Sequence, residues 1–180
     1  MGLFSTNIDT PIGEMLAIAN ANGVLLLLFR DDEKLEWETA KIRQHSQMEI
    51  STQENPVLCS LVSELEEYFS GKRESFRVKV SPRGTDFQQR AWQVLTEIPF
   101  GKAVSYRRQA EMMGSASAIR AAAAANAANR ICILIPCHRV LTSSGKIGGY
   151  RGGVWRKKWL INFEQNRIIS SPAHLQKFAF

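Results

Sequence analysis

The apolar positions change their spacing several times along the chain, and each change predicts an element. From Ile12 to Arg30 they alternate weakly, break at Asn20-Ala21-Asn22-Gly23 and resume as the run Val24 to Phe29, the pattern of a β-hairpin. Charged residues dominate from Asp31 to Arg43, which predicts an exposed connection or a surface helix. Asn55-Pro56 then opens a stretch in which Val57, Leu61, Leu65 and Phe69 recur every fourth residue, with Leu58 and Val62 beside them and Gly71 closing it. That spacing is an amphipathic helix. Arg77 to Ser81 alternates as a short strand, and Pro82-Arg83-Gly84 reads as a linker.

Beyond the linker the spacing is helical. Thr85 and Gln88 have the separation of a capping box, and Phe87, Ala91, Trp92, Leu95 and Ile98 form the inward face of the helix they start, which Pro99 to Gly101 ends. Ser105 is placed to cap a short helix through Met113, Gly114 to stop it, and Ser117 to cap a third helix through the alanine run to about Ala128. Two short helices around a glycine-containing turn suggest a helix-turn-helix. Ile131 to Ile135 is expected to be a buried strand or extended stretch, and Val154 to Glu164 a final helix with Trp155, Trp159, Leu160 and Phe163. The expected architecture is an α/β (α+β) N-terminal domain with a small antiparallel sheet over residues 1–82, a mainly helical C-terminal domain over 85–167, and a tail over 168–180.

Charge separates the two halves further. Residues 1–80 hold 8 Lys and Arg against 13 Asp and Glu, whereas residues 81–180 hold 15 against 4. The basic second half suits a polyanion such as nucleic acid, which the acidic first half would repel. No apolar run is long enough to cross a bilayer, and residues 1–20 lack the basic start and apolar centre of a signal peptide, so a cytoplasmic protein is expected. The three cysteines, Cys59, Cys132 and Cys137, are too few and too scattered for a disulfide framework. With His45, His138 and His174 they show no paired spacing for a metal.

Pro136-Cys137-His138-Arg139-Val140 holds the candidate chemistry. An ordinary thiol is mostly protonated at neutral pH, so a nucleophilic cysteine needs a base or a positive field nearby, and His138 and Arg139 supply candidates. Consecutive side chains of an extended chain point to opposite faces. His138 therefore serves Cys137 only if the backbone turns here or a water links them. Glu164, the single acidic residue after Glu111, shares a helix face with Leu160 and is the candidate to orient the imidazole. On the Cys-His pair alone, a buried structural cysteine is the plainer reading.

The longer run changes that. Ile133 to Val140, followed by Ser144-Gly145 and Gly149-Tyr150-Arg151-Gly152-Gly153, resembles the active-site signature of the O6-alkylguanine-DNA alkyltransferases. The similarity extends from about Thr85 to Arg167, through Phe100-Gly101, Val104-Ser105-Tyr106, Arg120 and Asn129. The resemblance implies DNA repair by direct reversal: the alkyl group of O6-alkylguanine, and of O4-methylthymine, passes irreversibly to Cys137 after the base is flipped through the minor groove of double-stranded DNA. Displacement at a saturated carbon leaves a thioether with no carbonyl for water to attack, so one chain serves one lesion.

By the same resemblance the catalytic set is Cys137, His138, Glu164, Tyr106 and Asn129. Glu164 holds His138, which takes the thiol proton through a water; Tyr106 helps turn the nucleotide outward and bonds the guanine ring; Asn129 bridges the recognition helix to the active-site turn. Arg120 fills the hole in the base stack. Ser105, Ala121, Ala122, Ala125 and Asn126 lie against DNA, the alanines being small enough for a groove only ~6 Å wide. Pro136, Val140, Tyr150, Arg151 and Gly152 form the substrate pocket, with Arg151 standing where many members carry a small residue. No cofactor, metal, membrane or obligate protein partner is implied, and a monomer is expected. The rivals are a DNA-binding regulator with a structural Cys137 and a Cys-His hydrolase.

Overall fold

The computed structural model describes residues 2–169, so the expected tail lies outside the described residues from Ser170 onward. The chain divides into two compact units: one holds the residues up to Arg83 together with Arg130–Leu134, and the other holds the remainder. Sequence spacing alone assigns those five residues to the second half.

In the first unit β1 (Leu3–Ile8), β2 (Met15–Asn20), β3 (Gly23–Phe29) and β4 (Ile50–Ser51) form a sheet in the order β3-β2-β1-β4. The β2–β3 hairpin falls where the sequence placed it, while β1 and β4 were not foreseen. The sheet is mixed rather than antiparallel, because β4 pairs with β1 in parallel. Every residue of β3 is buried. An edge strand that is apolar throughout must be covered, and two segments cover it. Val24 exchanges hydrogen bonds with Lys79 and Ser81, and Leu27 with Arg130 and Cys132. Gly23 is required at this approach, since a Cβ there would lie 2.6 Å from the Lys79 carbonyl oxygen. The expected strand Arg77 to Ser81 is thus a single bridge at Val80, its Arg77 and Val78 amides donating to Glu64.

Two helices complete this unit, α1 (Leu35–Ser46) and α2 (Pro56–Phe69). The Asn55 side chain caps α2 by accepting from Val57 and Leu58, and Pro56 occupies the first turn, where its missing N–H costs nothing. The buried face of α2 is Leu58, Leu61, Leu65 and Tyr68, one position round from the predicted stripe.

The second unit contains α3 (Asp86–Thr96), β5 (Val104–Ser105), α4 (Tyr106–Met112), α5 (Ile119–Ala127), β6 (Val140–Leu141) and α6 (Val154–Ile169). The capping box at Thr85 and Gln88 forms, and Ser105 caps α4 by accepting from Arg108. Ser117 caps nothing; Ala118 precedes α5 without a side-chain bond. α3, α4 and α5 pack on one another around Ala91, Trp92, Leu95, Ala110, Ala122 and Ala125, and Trp92 Nε1 donates to the Ala125 carbonyl at 2.8 Å. β5 pairs with β6 in parallel, Val104 opposite Val140, which sets the start of α4 beside the segment that follows Cys137.

Candidate active site

Two small turns of opposite hand deliver Cys137. Ile133 has φ 72°, a left-handed conformation that β-branched residues avoid, and Leu134 donates across it to the Cys132 carbonyl at 2.9 Å. Pro136 then forms an inverse turn at φ −82° and ψ 60°, across which Cys137 donates to the Ile135 carbonyl at 2.8 Å. Ile131 to Ile135 is therefore buried, as expected, but turns where a strand was predicted. A 3-10 turn over Cys137–Arg139 follows, supplying the bend that a Cys-His pair needs. Asn129, just past α5, ties these pieces together: its amide nitrogen lies 2.9 Å from the Ile135 carbonyl and 3.3 Å from Cys137 Sγ.

Behind the turn, Glu164 is a four-way acceptor. Its Oε1 faces His138 Nε2 at 2.9 Å and Arg139 Nη2 at 3.0 Å, and its Oε2 takes Arg139 Nε and the Gly101 amide, each at 3.0 Å. Arg139 also donates to the Ile98 carbonyl at 2.6 Å. Burial works against the Glu164 carboxylate, but the bonds and charges of His138 and Arg139 outweigh it and hold the carboxyl well below the usual range. Because Arg139 already balances Glu164, a second cation on His138 would leave uncompensated charge in the interior. Burial accordingly lowers the His138 pKa, against the pull of Glu164. The neutral ring donates from Nε2 to Glu164, which makes Nδ1 its basic nitrogen. Nδ1 is buried and meets no hydrogen-bond partner among the described residues.

Arg139 is therefore part of the Glu164 cluster, and the cations that act on Cys137 are Lys157 and Arg151. Burial pushes the thiol up, while the Asn129 bond, Lys157 and Arg151 oppose it. The resting group is a thiol, and ionisation must be coupled to proton removal. Lys157 was not singled out from the sequence. It is fully buried, donates to the Gly149 carbonyl at 3.2 Å and has its Nζ 5.6 Å from the centre of the Tyr106 ring. The available signal was its place seven residues before Glu164, on the same face of α6 as Leu160.

A cavity of about 310 Å³ opens beside Cys137, lined also by Tyr106, Ala123, Asn126, Ala127, Gly149, Tyr150 and Arg151. That volume is at the small end of the ~300–1,000 Å³ typical of ligand sites. Burial, then the neighbouring Cys137, raises the Tyr106 pKa, so its hydroxyl stays protonated and able to donate. Tyr106 approaches so closely that a Cβ at Gly148 would lie 3.2 Å from its oxygen.

Several expected site residues need correction. Pro136, Val140 and Gly152 are buried and are not cavity walls; Val140 is occupied in the β5–β6 pair. Ala122 and Ala125 face the α3–α4 core and are 0% and 2% exposed, so they cannot touch a groove. The exposed positions of α5 are Arg120, Ala121, Ala124 and Ala127. Asn126 lines the cavity with its amide paired to Gln109, and Ser105 spends its hydroxyl on the α4 cap. Among the described residues, no group of three or more His, Cys, Asp or Glu could hold a metal ion, and no helix is long and apolar enough to cross a membrane.

These ionisations predict a pH response. Folding favours neutral His138, so its contribution is intact above the ordinary value of 6.5 and declines as the pH falls below it; Glu164 stability is present above 4.5 and is lost as the pH falls through its lowered folded value. Denaturant unfolding at a series of pH values is expected to show stability falling from 6.5 downward. A curve level to pH 4.5 would contradict a buried neutral imidazole.

Residues 3–82 match the 6-O-methylguanine DNA methyltransferase, ribonuclease-like domain, and residues 86–166 match the 6-O-methylguanine DNA methyltransferase, DNA binding domain. A methylated-DNA–protein-cysteine methyltransferase of Methanosarcina barkeri is 38% identical over 167 residues, covering 89% of this chain and 96% of that protein. The crystal structure of the Mycobacterium tuberculosis O6-methylguanine methyltransferase superposes with a TM-score of 0.81 at 33% identity, covering 98% of this chain and 99% of the other. A crystal structure of Mycobacterium tuberculosis OGT in complex with DNA superposes with a TM-score of 0.77 at 34% identity, covering 99% and 100%.

Proposed function

The chain belongs to the 6-O-methylguanine DNA methyltransferase family, and from that membership we infer that it repairs alkylated DNA by moving the alkyl group from O6-alkylguanine onto its own Cys137. One observation carries the choice of residue: Cys137 lies on the wall of an open cavity, next to an imidazole whose Nε2 is committed to Glu164. His138 Nδ1, through one water, takes the thiol proton as sulfur attacks the alkyl carbon. The carbon–oxygen bond breaks, and the electron pair leaves with the guanine oxygen. Lys157 and Arg151 favour the developing thiolate, and Tyr106, by donating a hydrogen bond to the departing base, stabilises the negative charge that the electron pair leaves on it.

The base reaches the cavity by leaving the duplex. Arg120, exposed on α5, takes its place in the stack, while Ala121, Ala124 and Ala127 allow that helix close to the minor groove. O4-methylthymine, a smaller base with the same alkyl–oxygen linkage, is the second substrate.

Incubation with duplex DNA bearing O6-methylguanine, followed by intact mass, tests this reading. The expected product carries one methyl per chain and no more at any excess of DNA. Release of product beyond one equivalent would identify a turning-over hydrolase, and no mass gain would favour a DNA-binding regulator. Arg120→Ala is expected to slow repair of duplex by roughly 10–100-fold, since unstacking a base costs a few kcal/mol, while reaction with free O6-benzylguanine changes little. Equal losses on both substrates would remove Arg120 from base extrusion.

A further inference from the structure

Inside the second unit, Gln109 of α4 and Asn126 of α5 form a closed pair of amides. Gln109 Nε2 donates to Asn126 Oδ1 at 2.9 Å, and Asn126 Nδ2 donates to Gln109 Oε1 at 2.8 Å. Gln109 is fully buried and Asn126 is 6% exposed. Two polar side chains in a core otherwise built from alanine, leucine and tryptophan replace contacts that apolar residues make at less risk, because each unmade bond would be costly.

The two amides differ in what they have left. The second Nε2 hydrogen of Gln109 faces the Ala91 carbonyl at 3.5 Å, which fixes which end of that amide is nitrogen. Gln109 in turn fixes which end of Asn126 is oxygen. Asn126 lines the cavity beside Cys137, and one N–H and one Oδ1 lone pair remain to it after the pair is made. The other walls are two phenols, two alanines, a glycine, the thiol and the Arg151 cation. Asn126 is thus the one neutral side chain there that can both donate and accept through a fixed planar group, the chemistry that matches a nucleobase edge.

We propose that Asn126 reads the edge of the extruded base and that Gln109 is a positioning residue that locks the Asn126 amide in the orientation doing so. This rests on the alkyl-transfer reading above and adds a source of base selectivity within the same cavity. The rival is that the pair only joins α4 to α5.

The test is the double variant Gln109→Leu/Asn126→Leu, because replacing both partners of a buried bond by apolar groups can leave stability nearly unchanged. Methyl uptake from free O6-methylguanine is followed over a range of concentrations, alongside thermal unfolding. The expected result is a melting point close to wild type and a half-saturating concentration raised by about tenfold, as loss of bonds to the base requires, with the limiting rate lowered far less. Gln109→Leu alone should raise the same concentration while keeping most of the limiting rate. Should the double variant fail to fold, Asn126→Ser, small enough for α5 and still within the polar pair, carries the same measurement. An unchanged half-saturating concentration in a folded variant overturns the proposal, as does a loss confined to the melting point. Wild-type protein that takes up no methyl from duplex or free base would instead count against the alkyl-transfer reading itself.

Discussion

Cys137→Ala is expected to abolish methyl uptake from O6-methylguanine duplex while leaving affinity for that duplex within a few-fold of wild type. The sulfur is the atom to which the new bond forms, and nothing else in the cavity can replace it: the phenols of Tyr106 and Tyr150 are poor nucleophiles when protonated, and burial keeps Tyr106 protonated. Affinity for DNA, in contrast, is expected on the proposed reading to draw on the exposed side of α5 and on the lysines and arginines of residues 81–180, which this substitution leaves in place. The cost to the fold is small, since the change removes one sulfur and one 3.3 Å contact from Asn129. Intact mass and a binding titration at fixed salt check both halves. Methyl uptake undiminished in this variant would move the acceptor elsewhere, with Cys59 and Cys132 as the remaining thiols.

Glu164→Gln is expected to slow transfer by roughly 10²–10⁴-fold, the usual span for a lost general base, and to lower stability by about 3 kcal/mol. The arrangement of donors dictates why. Oε2 receives two donors from groups that cannot reverse, the Gly101 amide and Arg139 Nε, so the glutamine oxygen must occupy that position. Its NH2 then faces His138 Nε2 and Arg139 Nη2. Against the arginine it is a donor facing a donor, and the buried guanidinium loses its counter-charge. Against the histidine it makes Nε2 the acceptor, which places the ring proton on Nδ1 and removes the basic nitrogen. Single-turnover rates set against duplex affinity separate this from a general collapse; equal losses in both would assign Glu164 to the scaffold alone.

Much of the fold was legible because local signals were strong. Caps at Asn55, Thr85 and Ser105 and the stop at Gly114 were visible as residue types at fixed separations, and each operates as its chemistry requires. β1 was missed because Ser5, Thr6 and Asn7 interrupt its apolar pattern, and β4 because two residues carry no period. The site was legible only as a set of side chains. Glu164 was found by elimination, being the sole acidic residue after Glu111, but its four donors come from two separate stretches, Gly101 and His138-Arg139, that no spacing connects. Ala122 and Ala125 were placed on the wrong side for a different reason: a helix of alanines has no polar contrast from which to choose its buried face. Lys157 escaped notice because a lysine is expected to extend to solvent. The left-handed turn at Ile133 had no signature at all, since isoleucine is among the residues least suited to it.

The membership of Arg130–Leu134 in the first unit bears on any attempt to dissect this protein. Severing it at Pro82-Arg83-Gly84, the junction that spacing suggests, would strip Leu27 of both its edge hydrogen bonds and leave Ile131, Cys132, Ile133 and Leu134 in the other fragment with their apolar side chains in water. Each fragment would gain an adhesive surface, so insolubility on expression would reveal where the cut was made and say nothing about whether the severed half can hold DNA.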